Sequence, residues 1–288
     1  MKVSFSQGGS FTTIQDGGRF GMAHLGFPPS GFMDVISARL ANRLVGNEPD
    51  EALLEITWTG VEFSVDVACA VALTGAQFDG TVNGQPIDAY GVVSLQAGDC
   101  LRMGPLQTGV RAYLSFAGGL LLPSVGRSAS TLTLAGLGGL HGRPLQAGDE
   151  LPLKQPHQVI QRAVPAWHRW PQQNIHVIRV LPGPEFALFE PGAIKQALSQ
   201  PYQISQDSNR QGFRLQSTPI QGPKDLSMIS SGLLPGTLQV TPDGQTILAM
   251  QDGQTTGGYP RLLVVKQDEL HKLAQIRPHQ DIYFFCER

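Results

Sequence analysis

Apolar and polar positions alternate with a period of two in many short stretches of this chain, and with the longer period of a helix in very few. Val61-Glu62-Phe63-Ser64-Val65-Asp66-Val67 places an apolar side chain at every second position, which predicts a strand with one buried face. Val110 to Phe116 alternates in the same way, and Ala70-Val71-Ala72-Leu73-Thr74 reads as a buried strand. Ile175 to Leu181 predicts a further strand, and short strands return through Phe284-Phe285. Asp34 to Val45 is different: its spacing predicts a helix, with Asp34 as N-cap and Gly46 as stop. Pro184 to Ser199 predicts one or two helical turns followed by a second helix. The expected fold class is therefore mostly β, with a few helices.

The turns echo one another. Thr81-Val82-Asn83-Gly84-Gln85-Pro86-Ile87 carries the Asn-Gly hairpin signal and resembles Thr241-Pro242-Asp243-Gly244-Gln245-Thr246-Ile247, 160 residues later. Leu95-Gln96-Ala97-Gly98-Asp99 recurs as Leu145-Gln146-Ala147-Gly148-Asp149, with a looser copy at Ile276 to Asp281. Two related barrel-like halves would explain these copies, and so would chance recurrence of a short turn in a Gly-rich chain. Gln155 to Gln173 is rich in Pro, Gln, His and Trp and has no period, so it reads as the connection between an N-terminal domain, 1–158, and a C-terminal domain, 172–288. The second half carries an insertion, Gln251-Asp252-Gly253-Gln254-Thr255-Thr256-Gly257-Gly258-Tyr259-Pro260, which the first half lacks. A polar, Gly-rich segment between strands is where function concentrates.

Composition narrows the classes. The chain has 288 residues with 41% apolar and only 15% charged, and Gly 34 with Pro 21 fits many short elements separated by turns. Low charge suits either a surface covered by a partner or one rich in neutral polar residues. A net charge of −2 argues against nucleic acid as the main partner, because phosphate recognition needs a basic face. No apolar run is long enough to span a bilayer, and the first residues lack the apolar segment of a signal peptide. Cys69, Cys100 and Cys286 are odd in number and far apart, which fits reduced thiols in cytoplasm.

Common catalytic motifs are missing: no P-loop, no dinucleotide-binding glycine fingerprint, no H-E-x-x-H and no G-x-S-x-G. The seven histidines are scattered, so no metal site is expected. Four polar constellations remain. Gln15-Asp16-Gly17-Gly18-Arg19 reads as a tight turn with an ion pair or as part of a site. Gly31-Phe32-Met33-Asp34 reads as a helix cap or as a site at a helix start. Ser205 to Arg214 sets Arg210 and Arg214 beside Asp207 and Asn209, a group able to grip a carboxylate or phosphate through paired hydrogen bonds, or else a solvated loop. The insertion offers Thr255, Thr256 and Tyr259 hydroxyls on a backbone that can approach a ligand closely, or else is a flexible hairpin.

Taken in order, these constellations carry a resemblance. Gln15-Asp16-x-Gly18-Arg19, Gly31-x-Met33-Asp34, Ala41-Asn42-x-Leu44-x-Gly46-Asn47, Gly138-Gly139, Ser208-Asn209-Arg210-x-Gly212-x-Arg214-Leu215, Pro235-Gly236 and Gln254-Thr255-Thr256-Gly257-Gly258-Tyr259-Pro260 together resemble the KipA family, which is also the family of the 5-oxoprolinase C subunit and of allophanate hydrolase subunit 2. Two departures accompany it. The family's Gly-Ser-Arg-Ser-Thr stands here as Arg127-Ser128-Ala129-Ser130-Thr131, and its Met-Gly-Tyr as Gln211-Gly212-Phe213. On a strand, moving an arginine by two positions keeps it on one face, so Arg127 is expected to supply the displaced charge.

The resemblance implies two cyclophilin-like β-barrel halves. It implies the C subunit of an ATP-dependent 5-oxoprolinase that converts 5-oxoproline to glutamate, working in the cytoplasm with a KipI-like B subunit and a LamB/YcsF-like A subunit. ATP is implied as the coupling agent, shared with a partner protein. Other members imply two further classes: a carboxyltransferase-type subunit of a biotin-dependent urea or amide carboxylase, and a non-catalytic antagonist of a KipI-like kinase inhibitor. For the first reading Asp207, Asn209, Arg210 and Tyr259 are the expected catalytic residues. Asp16, Arg19, Asp34, Arg127, Arg214, Thr255 and Thr256 are the expected substrate-binding residues.

Overall fold

The computed structural model describes residues 1–88, 90–159, 169–223 and 228–287. The chain divides into two compact units, Met1–Arg19 with Ser30–Gln172, and Phe20–Pro29 with Gln173–Arg288. The middle of the expected connection, residues 160–168, lies outside the described residues. Both units are built mainly of strands, and among the described residues no helix is long and apolar enough to cross a membrane.

The first unit is a curled nine-stranded sheet with one helix. Its elements are β1 (Lys2–Gln7), β2 (Phe11–Gln15), α1 (Val35–Leu44), β3 (Leu53–Thr57), β4 (Glu62–Val65), β5 (Cys69–Val82), β6 (Gln85–Ile87), β7 (Gly91–Leu95), β8 (Cys100–Phe116) and β9 (Glu150–Pro152). The long strand β8 carries β5 along one edge and β3 followed by β4 along the other. The alternating stretch at 61–67 behaves as its period predicts: Phe63 and Val65 are buried while Glu62 and Ser64 are partly exposed. The continuous apolar run at 70–74 has a different cause. Val71 and Leu73 join the core around Phe5, Phe63 and Phe116, whereas Ala70 and Ala72 pack with Ala38, Ala41 and Leu44 of α1. A strand covered on both faces has no polar face to alternate with. Asp34 caps α1 as expected, accepting from Ser37 N at 3.0 Å and Ser37 Oγ at 2.6 Å, and Gly46 just beyond the helix takes φ +77°.

The second unit contains β10 (Ile175–Pro182), α2 (Pro191–Ser199), β11 (Gln203–Ile204), β12 (Gly212–Gln216), β13 (Ser231–Gly232), β14 (Thr237–Val240), β15 (Thr246–Ala249), β16 (Thr256–Gly257), β17 (Arg261–Val265), α3 (Leu270–Leu273) and β18 (Asp281–Cys286). Seven strands run in the order β11-β12-β15-β14-β17-β10-β18. The two ends of that order meet. Tyr202, next to β11, donates its N–H to Ile282 O at 2.9 Å, and Ile282 of β18 returns the bond at 2.8 Å. This unit is thereby a nearly closed barrel. Strands β13 and β16 form a separate two-stranded ladder.

The repeated pentapeptide is a repeated physical device. In each full copy the aspartate carboxylate accepts from the glutamine N–H three residues earlier, Gln96 to Asp99 at 2.7 Å and Gln146 to Asp149 at 2.8 Å. The looser copy keeps the plan with other groups: Gln280 Oε1 accepts from Arg277 N at 2.8 Å, and His279 takes the positive φ, +75°, that Gly98 and Gly148 take elsewhere. All three lead into a strand, β8, β9 and β18. The two hairpins are less alike than their letters. Asn83 and Gly84 both have positive φ, +50° and +79°, as a two-residue turn of type I′ requires. In the other, Pro242 favours a type I start, Gly244 alone of the turn residues is at positive φ, and Thr241 N donates to Gln245 O at 2.9 Å across a three-residue loop.

His176 on β10 gives the barrel a pH dependence. The ring is 2% exposed, with Nδ1 2.8 Å from Gln173 Nε2 and Nε2 3.3 Å from Gln280 Oε1. Nδ1 must accept from the Gln173 amide, so the neutral ring fits the site. Burial lowers the His176 pKa below its ordinary value of 6.5, and nearby Lys272 adds to this against the two glutamines. The unfolded chain then binds the extra proton first, so stability is full above about pH 6.5 and falls as the pH drops through it. Unfolding temperatures at pH 7.5 and 5.5 are expected to differ more for the wild-type chain than for His176→Gln. Equal differences would mean that His176 does not set this slope.

Candidate functional site

The expected site residues fall into two groups, one in each unit. In the first, the turn after β2 is tied to the segment 125–131. The Asp16 carboxylate accepts from Ser128 Oγ at 2.7 Å, Ala129 N at 2.6 Å, Ser130 Oγ at 2.5 Å and Gly18 N at 2.9 Å. Arg19 is 1% exposed and donates to Val125 O at 2.8 Å and Ser130 O at 2.9 Å. The Gly31 signature reaches the same turn, with Phe32 N donating to Asp16 O at 3.1 Å. These signature residues hold one another, and Ser128 and Ser130 are essential parts that the motif reading left unassigned.

Arg127 does not occupy the place the strand argument gave it. Gly126 and Arg127 form a two-residue turn, both at positive φ, closed by paired backbone bonds between Val125 and Ser128. The two-residue periodicity that would carry the charge to the same face therefore does not apply, and the Arg127 side chain is exposed. Asp34 is 2% exposed, with its carboxylate turned onto Ser37 as a helix cap.

Behind that cap lies a buried polar cluster that motif reading missed. Glu55 on β3 is 1% exposed and its Oε2 accepts from Met33 N and Tyr113 Oη, both at 2.9 Å. Tyr113 Oη in turn accepts from Asp34 N at 2.7 Å, and Arg111 Nε stands 3.6 Å from Glu55 Oε1. Burial, then the charge of Glu55, pushes the Tyr113 phenol well up, so it remains a donor at all working pH values. The available signal was positional: Arg111 and Tyr113 occupy the polar phase of an alternating strand, and that phase faces α1 rather than water.

In the second unit, Asp207 and Asn209 are exposed on the turn leading into β12, and Arg214 is exposed on β12 itself. Asn209 shapes the turn, its Oδ1 accepting from Gln211 N at 2.8 Å. Arg210 points the other way. It is 5% exposed and makes a paired contact with Asp252 of the insertion, Nε to Oδ2 at 2.7 Å and Nη2 to Oδ1 at 3.0 Å. In this structure Arg210 fixes the Asp207–Arg214 turn to the insertion. Asp252 was the residue to look for, because a buried arginine needs a carboxylate.

The insertion is tied to the rest of the unit at several points. Leu233 N donates to Thr255 O at 2.9 Å, and Gln239 Nε2 donates to Tyr259 O at 3.2 Å. Gly253 is needed for close approach rather than for an unusual φ, because a Cβ there would lie 2.8 Å from the backbone oxygen of Gln211. Thr255 is half-buried and Thr256 exposed, and Tyr259 is 40% exposed rather than packed into β17. Tyr259 instead lines an open cleft of about 950 Å³ with Gly258, Pro260, Asp243, Pro219 and Ile220.

The matches to known proteins cover nearly all of this geometry. The model for the carboxyltransferase domain, subdomain A and B, matches residues 25–286. The 5-oxoprolinase C subunit of Escherichia coli (strain K12) is 38% identical over 277 residues, 96% of this chain and 88% of that protein. Its namesake in Haemophilus influenzae is 34% identical over 275 residues, with the same two shares. The crystal structure of Kluyveromyces lactis urea carboxylase superposes with a TM-score of 0.92 at 30% identity, covering 100% of this chain and 27% of that one. With the two curled sheets and the ordered signatures in place, the chain belongs to the carboxyltransferase domain, subdomain A and B, family.

Proposed function

We propose that this chain is the C subunit of a 5-oxoprolinase complex, which opens the lactam of 5-oxoproline to glutamate with a KipI-like B subunit and a LamB/YcsF-like A subunit. The observation that carries this reading is the 38% identity that runs through 96% of this chain and 88% of a bacterial 5-oxoprolinase C subunit. The local geometry supports it. Asp207, Asn209, Thr256 and Tyr259 present polar groups to solvent, and hydrogen bonds to backbone groups anchor the segments that carry Asn209 and Tyr259. Ring opening needs a hydrogen-bond donor or proton carrier at the amide, and we assign that role to the exposed Tyr259 phenol.

Neither of two clefts formed by the described residues fits the nucleotide that the resemblance implies. The described lining of the cleft beside Tyr259 contains one charged side chain, Asp243, whose carboxylate repels phosphate. The described lining of the smaller cleft at Gln77, Asp79, Asp88 and Tyr90 has one cation, Arg169, already 3.4 Å from Asp88. A triphosphate needs several cations or clustered N–H groups. No step is therefore assigned to a nucleotide on this chain.

Glutamate release from 5-oxoproline with ATP is expected only when this chain is combined with both partner proteins. Cleavage by the chain alone would overturn the multi-subunit reading. A second reading is favoured by the family model and by the TM-score of 0.92 to urea carboxylase: a carboxyltransferase component served by a biotin carrier. Carboxylation of urea by an assembly containing a biotinylated protein, with no glutamate formed from 5-oxoproline, would establish it instead.

Tyr259→Phe isolates one group. Because the ring is 40% exposed, losing the hydroxyl should leave the unfolding midpoint unchanged. Turnover in the assembled complex is expected to fall on the order of 10²-fold, the low end for loss of a proton-transfer group. A Phe variant with full turnover places the chemistry elsewhere.

A further inference from the structure

The insertion begins and ends at an arginine–carboxylate pair. At its start Arg210 grips Asp252 through two bonds, at 2.7 and 3.0 Å, and Asp252 N donates to Arg210 O at 2.8 Å. At its end Arg261, two residues after Tyr259, grips Glu185 through Nε at 2.8 Å and Nη2 at 2.6 Å, while its own N–H donates to the same carboxylate at 3.0 Å. The third guanidinium nitrogen, Nη1, donates to Gly232 O at 2.8 Å and so ties the β13–β16 ladder to the same point. The Arg261 guanidinium holds the Glu185 carboxyl below its ordinary range, so this pair is ionised at neutral pH.

Such pairs are a costly way to gain stability. Burying two ions loses hydration that their attraction barely repays, and an apolar pair of the same volume does as well or better. What a two-bond contact supplies is orientation, because it fixes both the distance and the plane of the partner. The segment between the pairs needs that help: its only regular structure is a two-residue ladder, which is not stable alone. Thr256 and Tyr259 are exposed, so packing does not hold these side chains. The expense makes sense if exposed groups must stand in one fixed place.

We propose that Arg210–Asp252 and Arg261–Glu185 form a two-ended clamp that holds the Gln251–Pro260 insertion in one conformation and thereby sets Tyr259 against the reacting amide. The four residues are positioning residues that act through Tyr259. The role in turnover rests on the reading of the chain as part of a 5-oxoprolinase, whereas the clamp itself does not.

The test uses Asp252→Asn and Glu185→Gln, which keep shape and remove charge. Amide hydrogen exchange is read in peptides covering 251–260 and in β10, β14 and β17 of the same chain. Exchange in 251–260 is expected to rise about tenfold or more in each variant while the barrel strands stay protected. In the reconstituted complex kcat is expected to fall about 10–100-fold, as when a reacting group is displaced by about 1 Å. In a Tyr259→Phe background the same substitutions should add little further loss, because a positioning effect has nothing left to position. Unchanged exchange in 251–260 overturns the clamp. Increased exchange with kcat losses that multiply in the Tyr259→Phe background overturns action through Tyr259. Should the wild-type complex release no glutamate, the function reading fails, and the exchange arm still decides the clamp. If Asp252→Asn loosens the whole barrel, the less buried Glu185→Gln decides it.

Discussion

Arg210→Ala is expected to lower the stability of the second unit by about 3–5 kcal/mol, the usual cost of leaving one partner of a buried ion pair alone. Arg210 and Asp252 are each about 5% exposed, so water cannot replace the lost guanidinium. The substitution leaves Asp252 with a buried, uncompensated charge and opens the space that held the arginine stem. The double variant Arg210→Met with Asp252→Leu removes both charges and retains most of the volume, and it should recover much of the loss. Chemical denaturation read through hydrogen exchange in β12 and β15 measures this unit by itself. A loss below about 1 kcal/mol for the single variant would show that the pair is solvated in solution. Activity in the complex should fall with the single variant and remain low in the double, because the hydrophobic pair restores stability without restoring the orientation of the insertion.

The same residue shows where sequence reading succeeds and where it stops. Elements whose cause is local were legible: the alternation at 61–67 and the cap at Asp34 both depend on neighbours a few residues away. The Leu95–Asp99 turn was legible as a repeat because the bonds that shape it, between Gln96 and Asp99, close within the pentapeptide. Burial of Arg210 was not legible, since its partner lies 42 positions away and nothing local distinguishes a buried arginine from an exposed one. Arg127 failed for a related reason. The inference needed a strand, whereas Gly126 and Arg127 turn the chain so that the Asp16 carboxylate can be met by Ser128, Ala129 and Ser130. The insertion stood out by its composition, but its anchoring contacts come from Gln239, Leu233 and the Arg261–Glu185 pair, all remote or beyond its ends.

A second large effect is expected in the first unit, where no motif pointed. Glu55→Ala should destabilise it by about 3–5 kcal/mol. Glu55 is 1% exposed, and its removal deprives three groups at once: Met33 N–H and Tyr113 O–H lose acceptors at 2.9 Å, and Arg111, 3.6 Å away, loses its counter-ion. Tyr113→Phe removes one node of the same cluster and should cost less, about 1–3 kcal/mol, because it strands neutral hydrogen-bonding groups rather than a charge. Glu55→Gln belongs between them: the amide oxygen can still accept from Met33 N and Tyr113 Oη but no longer compensates Arg111. The order Ala, then Gln, then Phe at position 113 distinguishes a charge-driven cluster from simple packing, which would make Tyr113→Phe nearly silent and Glu55→Gln harmless. The consequence is local before it is global. Met33 N and Asp34 N are the backbone groups through which this cluster holds the start of α1 to β3 and β8, so exchange protection in α1 should collapse first in Glu55→Ala. Since Phe32 N also bonds Asp16 O, loosening that end should next free the Asp16 turn and its serine partners. Protection that is lost in β4 or β9 before α1 would mean that the cluster supports the sheet instead of the helix start.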